Sequence, residues 1–379
     1  KQPIEFEIFL NTHLISLKGC LPRPDEACQK AAIDEWKLKM FINGQKKAPN
    51  EELVYRIRQQ VHELIGQNKC SLESVYQQPR IPSTSANYIN NRNAAGCVGK
   101  VLNDKFFQDN CRLNWRDAYL GWGFRFSDNV EPDGFHWPRY GSDNITPIWD
   151  TWIDRGLIEN NFSAFLEHAI NMAWVEEPYV SPVALSEALK VRMITKCPPW
   201  LMFVMNSFID PLRKLLKDNV VFTLTGTPQE ETIMDEVFPD VYRTFLSGDY
   251  QESTDNLCSW VSECIVDELC ETYYSEVCRQ DVRWITLFKR ALTGFKLKLD
   301  LNADQGTPWN RSLRGIPKNI VVYDQKGGQL MGSVASFPVL CLANYSLCRM
   351  AMEMNPPNWR GLLVNGDDCV FEANVDCYE

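Results

Sequence analysis

Apolar positions in the first part of the chain recur at intervals of three and four. Ile33, Trp36 and Met40 form one run and Leu53, Ile57, Val61 and Leu64 the next, which puts each set on one helical face and predicts a helical region to about residue 75. Over residues 78–100 Pro, Ser, Asn and Gly replace that period and predict a loop. Its hydroxyls, backbone donors and Arg92 suit a phosphate backbone and an ordinary polar surface equally well. Residues 113–160, rich in Trp, Asp and Gly, predict no element. From Ala184 to Lys196 the chain reads as extended, and Lys190 and Arg192, two apart, share a strand face. Beyond Pro198 and Pro199, residues 200–217 predict a hydrophobic and then amphipathic helix.

The last third repeats these signals in a denser arrangement. A short strand over 244–250 ends near Asp249. Leu257, Trp260, Val261, Cys264, Ile265 and Leu269 then take helical spacing, with Ser253 to Asp255 as its N-cap. For Asp255 alone, capping is the simplest role. The segment GGQLMGS offers backbone freedom at Gly327, Gly328 and Gly332 and leads into a helix with Ser336 as cap and Pro338 in the first turn. On that helix Phe337, Leu340, Cys341, Asn344, Leu347 and Cys348 share a face. Asn344 there is either a buried amide with a local partner or a nucleotide contact. Finally, GLLVNGDDCVF is two apolar runs around Asn365-Gly366, a hairpin signal that carries Asp367 and Asp368 at its tip; alone, it reads as a hairpin with a solvated acidic turn.

Composition narrows the class. At 379 residues and 45% hydrophobic content, the chain buries a large core and predicts two or more packed subdomains. No apolar run reaches the roughly 18 residues of a membrane span, and neither an anchor nor a secretory leader is expected. The formal charge of −10 argues against simple nucleic-acid binding, yet the charges are segregated. From Glu231 to Asp281 there are thirteen Asp or Glu against two Arg. Lys190, Arg192 and Lys196 stand together, and Arg311, Arg314, Lys318 and Lys326 recur before the glycine-rich segment. Each basic group also fits a solvated face. Fourteen cysteines without a CxxC pair and four scattered histidines predict reduced thiols and no zinc site, hence a cytosolic or mitochondrial compartment.

The order carboxylate strand, glycine loop, double-Asp hairpin is the layout of a template-directed nucleic-acid polymerase. Phosphodiester synthesis displaces pyrophosphate in line, and two divalent ions about 4 Å apart can activate the attacking 3′-hydroxyl and neutralise the leaving oxygens. Mg²⁺ (or Mn²⁺) takes oxygen ligands and keeps several waters, so Asp249 and Asp367, with Asp368 in support, are a sufficient carboxylate set. Lys190 and Arg192 would hold the β- and γ-phosphates.

The segments LKVRMITK, LTGTP, SGDYQESTDNL, GGQLMGSVASFPVLCLAN and VNGDD resemble, in order, the motifs of viral RNA-dependent RNA polymerases, and their wording is closest to the ourmiavirus-like (botourmiavirus) group, relatives of narnaviruses and leviviruses. PSTSANYINNRNAAGCVG resembles a further stretch of that group, so the matching segments run from about residue 79 to 371. The resemblance implies an α+β right-hand fold whose palm is a small antiparallel sheet backed by helices, with a helical region at 1–75, fingers at 76–200, palm at 201–280, a fingers insertion at 281–325 and palm again at 326–379. It implies metal binding and catalysis by Asp249, Asp367 and Asp368, and nucleotide contacts from Asp255 (to the ribose 2′-hydroxyl), Lys190, Arg192, Lys196, Gly328, Ser333, Ser336 and Asn344. The pairing of Asp255 with Ser336 or with Asn344 stays open. Implied partners are an RNA template, the nascent strand and NTPs, in replication of a positive-strand genome.

In this family a further palm helix, a primer-grip hairpin and the thumb follow the double-Asp hairpin. A chain that opens without Met and stops eight residues after Phe371 is expected to be partial, with the thumb largely absent. Two other readings compete. A reverse transcriptase ordinarily needs a bulky gate after the first metal Asp, where Glu252, Ser253, Thr254 and Asp255 stand instead. A silent, RNA-binding homologue would be expected to have lost one of the three aspartates.

Overall fold

The structure is a computed structural model, and it describes residues 20–44, 46–78, 83, 85–94, 96–102, 104, 124–126, 134–140, 147–226, 237, 245–300, 320–354 and 361–372. Helix α1 (Glu26–Lys37) is capped by Asp25, whose carboxylate accepts from the Cys28 amide at 2.8 Å, and it winds into a wider turn over Leu38–Ile42. Asn50 caps α2 (Glu51–Ile65) and Ser71 caps α3 (Leu72–Tyr76) in the same way, each satisfying an amide that the first turn leaves without a partner. The predicted helical region therefore stands across its described part. The predicted loop holds a short α4 (Gly96–Leu102), whose seven residues carry too little apolar period to announce it.

Residues 113–160 contribute three antiparallel strands, β1 (Phe124–Phe126), β2 (Gly134–Tyr140) and β3 (Pro147–Asp154), with β3 central. They precede α5 (Arg155–Val175). A second sheet joins β4 (Tyr179–Glu187), β5 (Lys190–Lys196), β7 (Lys296–Asp300) and β8 (Ile320–Asp324) in the order β5-β4-β7-β8. Its β4–β7 pairing is parallel and the others antiparallel. The predicted helix over 200–217 is α6 (Pro199–Lys217). Arg311, Arg314 and Lys318 lie outside the described residues.

The third sheet holds the acidic segments. It is antiparallel, with β10 (Asp368–Glu372) between β6 (Phe245–Gly248) and β9 (Leu362–Asn365). Helices α8 (Ser259–Glu271) and α11 (Ser336–Met354) pack on each other and on α2, and α10 (Arg283–Thr293) closes the core from the other side of α8. One apolar core runs from Trp36 to Phe371. At its centre the Phe208 ring stacks on Tyr274 and Trp284 with centroids 4.0 and 4.6 Å away, and the Tyr274 hydroxyl donates to the Phe208 carbonyl at 2.7 Å. The architecture is α+β, with small, mostly antiparallel sheets backed by helices. Among the described residues no helix is long and apolar enough to cross a membrane.

Candidate active site

The expectation that distant acidic residues converge rests on sheet register. In the β6–β10 pair Gly248 lies opposite Cys369, and continuing that register by one residue sets Asp249 across from Asp368. A Cβ at Gly248 would lie 3.1 Å from the Cys369 sulfur, so glycine keeps the two strands close here. In the β9–β10 hairpin Asp368 pairs with Asn365. The two-residue turn is therefore Gly366-Asp367, one position beyond the Asn-Gly pair that the pattern singled out. Gly366 alone takes a positive φ, 68°, the requirement at the first position of a type II′ turn. That one-residue displacement puts Asp367 in the turn itself and makes Asp368 the first residue of the strand.

Asp368 is near enough to the other two carboxylates to be affected by them. The exposed Asp368 carboxyl is pushed above its ordinary value by partial desolvation and by the negative charges of Asp367 and Asp249. Five acidic groups of the run nearby pair with cations, four of them with cations more than twenty residues away. Arg58 meets Glu268 and Glu271, Lys289 meets Asp267, Arg283 meets Asp281 and Lys39 meets Glu252. Among the described residues no Lys or Arg pairs with Asp249, Asp367 or Asp368. Instead, the Ser253 hydroxyl donates to Asp367 at 2.7 Å and joins the first acidic segment to the second.

The glycine segment explains why the helix predicted after Asp249 comes in two pieces, α7 (Ser253–Asn256) and α8, separated by an extended Leu257. The Gly328 amide donates to the Leu257 carbonyl at 2.9 Å and the Gln329 amide to the Thr254 carbonyl at 2.7 Å, taking acceptors that a continuous helix would use. Gly328 has φ 65° and a Cβ there would sit 2.6 Å from the Thr254 carbonyl oxygen and from the end of Met40. Gly332, at φ 147°, lies so close to the Thr195 carbonyl that a Cβ would overlap it.

Ser336 opens α11 but does not cap it. Its hydroxyl donates to the Gln329 side chain at 2.9 Å, and the Gln329 amide donates on to Ser262 at 2.8 Å. The Ser333 hydroxyl accepts from the Ala335 amide at 3.3 Å and donates to the Ala291 carbonyl at 2.5 Å. On α11, Leu340, Cys341, Asn344 and Cys348 are buried, whereas Phe337 and Leu347 are exposed. The buried face is thus narrower than the spacing suggests. Asn344 is the buried amide with local partners. Its Nδ2 donates to the Gly366 carbonyl at 3.1 Å and to the Asp368 carbonyl at 3.2 Å, so it grips the double-Asp turn from behind. Replacing it with Leu removes both bonds and is expected to cost about 1–3 kcal/mol of stability, read as a lower denaturation midpoint.

Asp255 is half-buried. Burial pushes its carboxyl up to about 6, against the opposing pull of Lys39, the Thr254 hydroxyl and the Trp36 side chain; Glu252 adds to the rise. Neither Ser336 nor Asn344 is bonded to it. On β5, Arg192 donates to Glu187 at 2.7 Å and Lys190 stands 3.8 Å from the same carboxylate, while Lys196 has no ion pair among the described residues. The far end of that strand is tied to the glycine loop, since the Thr195 amide donates to the Met331 carbonyl at 2.8 Å.

The donors that converge are carboxylate oxygens, suited to a hard divalent cation. Among the described residues no group of three or more His, Cys, Asp or Glu is placed to hold a metal ion; a site for Mg²⁺ at this corner would draw on one or two carboxylates, with waters and substrate phosphates as the other ligands.

No family model matches the chain. It is 32% identical over 209 residues to the RNA-dependent RNA polymerase of Ourmia melon virus (isolate Melon/Iran/VE9), an alignment that covers 51% of this chain and 22% of that protein. A solved structure, the Sicinivirus 3Dpol RNA-dependent RNA polymerase, aligns with a TM-score of 0.49 at 14% identity over 94% of this chain and 65% of its own. The chain spans about a fifth of the length of its curated relative, and over half of its own length it is similar to an ourmia-like viral RNA-dependent RNA polymerase.

Proposed function

We propose that this chain carries the palm and part of the fingers of a viral RNA-dependent RNA polymerase that adds NTPs to an RNA 3′ end on an RNA template, in replication of a positive-strand genome. One observation carries the reading: Asp249, Asp367 and Asp368 meet across a single sheet corner without a cationic partner among the described residues. Three neighbouring unneutralised carboxylates favour divalent cations. The similarity to the Ourmia melon virus polymerase supports the same reading. In it, Asp249 and Asp367 hold the metal ions and Asp368 supports them; bound Mg²⁺ supplies activation of the 3′-hydroxyl and charge neutralisation at the phosphates. Ser253 orients Asp367, and Asn344 holds the turn. Gly328, Ser333 and Ser336 fix the loop against α7, α8 and α10. Lys190, Arg192 and Lys196 face the triphosphate, with Glu187 holding Arg192 until phosphate oxygens replace it.

Asp255 selects ribose by accepting from the 2′-hydroxyl. Its carboxyl is raised from 3.8 to about 6, so the folded state favours the neutral form, and the stability this brings is full below about 4 and lost as pH rises through about 6. Asp255→Asn is therefore expected to stabilise the protein by about 2 kcal/mol at pH 8 and by almost nothing at pH 4, while the preference for NTP over dNTP narrows. Denaturant melts at the two pH values and paired incorporation assays check both. Template-directed incorporation of NTPs into RNA, by the full reading frame that contains this chain, tests the function; extension from dNTPs instead would favour reverse transcription.

A further inference from the structure

We infer that Trp36 and Lys39, in the N-terminal helical region to which no motif assigns a role, are positioning residues that set the ribose selectivity of the site. The inference rests on the polymerase reading above. Three residues of one helical stretch, Trp36, Lys39 and Met40, lie against the two walls of the nucleotide corner. The Lys39 ammonium pairs with Glu252, and Glu252 is one of two described non-glycine residues with a positive φ, 49°. A left-handed backbone at such a residue is strained, and the ion pair lies where it can hold that turn. Glu252 in turn accepts at its carbonyl from the Asp255 and Asn256 amides, both at 3.0 Å. The turn that Lys39 grips is thus the one that sets the start of α7 and the direction of Asp255.

Trp36 completes the hold. It is 5% exposed, packs its ring 5.4 Å from that of Phe41, and its side chain favours the charged form of the Asp255 carboxyl. On the opposite wall, the Met40 carbonyl accepts from the Lys326 amide at 2.8 Å and the end of the Met40 side chain fills the space beside Gly328. Trp36, Lys39 and Met40 therefore bridge the acidic turn and the glycine loop. The charged groups acting on the Asp255 carboxylate are Lys39 from this segment and Glu252 from its own turn. Without Lys39 or the Trp36 side chain the carboxylate is less readily ionised, and without the Lys39 ion pair the turn that directs it loses its hold.

The experiment measures kcat and KM for a correct NTP and its dNTP, from pH 5.5 to 8.5, with the full reading frame that contains this chain and its Lys39→Met, Lys39→Arg and Trp36→Phe variants. Lys39→Met and Trp36→Phe are each expected to reduce the NTP:dNTP ratio about tenfold, the loss typical of one charge-assisted hydrogen bond. Lys39→Met should also move the acidic fall of that ratio to higher pH, and Lys39→Arg should restore both. Lys39 is one-third exposed and its replacement opens no core cavity, so thermal melting should show a folded variant. A wild-type ratio and pH profile in both Lys39→Met and Trp36→Phe would overturn the inference and leave the polymerase reading intact. An unaltered ratio in Asp255→Ala, or a wild type that incorporates no NTP, would overturn the reading beneath it.

Discussion

Asp367→Asn is expected to lower NTP incorporation by about a thousandfold or more while leaving RNA affinity within about twofold of the wild type. The substitution keeps the size of the side chain and its place in the Gly366-Asp367 turn, and the Ser253 hydroxyl can still donate to the remaining oxygen. What it removes is negative charge at the corner where Asp249 and Asp368 already repel each other. Divalent ions held at that corner would supply several kcal/mol of transition-state stabilisation, and each 1.36 kcal/mol is tenfold in rate. RNA affinity depends on phosphate contacts by basic groups, none of which is altered. Single-nucleotide extension of a primed template, with filter binding of the same RNA, measures both. A variant with more than a tenth of the wild-type rate would remove Asp367 from the metal site.

Gly332→Ala should have the largest effect on the fold among the loop positions. At φ 147° only glycine is at ease, and the added Cβ would overlap the Thr195 carbonyl, which belongs to backbone and cannot swing aside. Either the loop withdraws from β5 or β5 moves. Both break the bond from the Thr195 amide to the Met331 carbonyl, beside the end of the strand that carries Lys190 and Arg192. A loss of about 3 kcal/mol or more in unfolding free energy is expected, with a rise in KM for NTP in whatever folded protein remains. Gly327→Ala is the internal control, because a Cβ there meets nothing within 4 Å. If both glycine variants melt together, the loop is not seated as described.

The parts legible in the chain are those with a repeating apolar period or an enforced turn. α2, α6 and α8 follow their three- and four-residue spacing, and the hairpin follows its Asn-Gly and double Asp. Periodicity cannot see a competing hydrogen bond from elsewhere, and that is where the reading departs from the fold. The helix after Asp249 breaks at Leu257 because amides of the glycine loop claim its carbonyls. The hairpin turn falls one residue later than the strongest local signal because pairing with β6 and β9 sets its register. Asn344 was readable as an anomaly on an apolar face, but its partners, two carbonyls of the hairpin turn, lie more than twenty residues on. Ser253 carries no signal beyond its place beside Asp255, and the roles of Trp36 and Lys39 depend entirely on packing between distant segments.

The bonds from Gly328 and Gln329 to α7 and Leu257 also bear on how such a protein can change over time. Residues 249–257 and 326–336 share one set of backbone partners, so neither stretch can drift alone without stranding carbonyls in the other. Recombination between related genes that exchanged only one of them would join mismatched halves of a single joint; exchange of both together, with the segment around Met40, would transfer it whole.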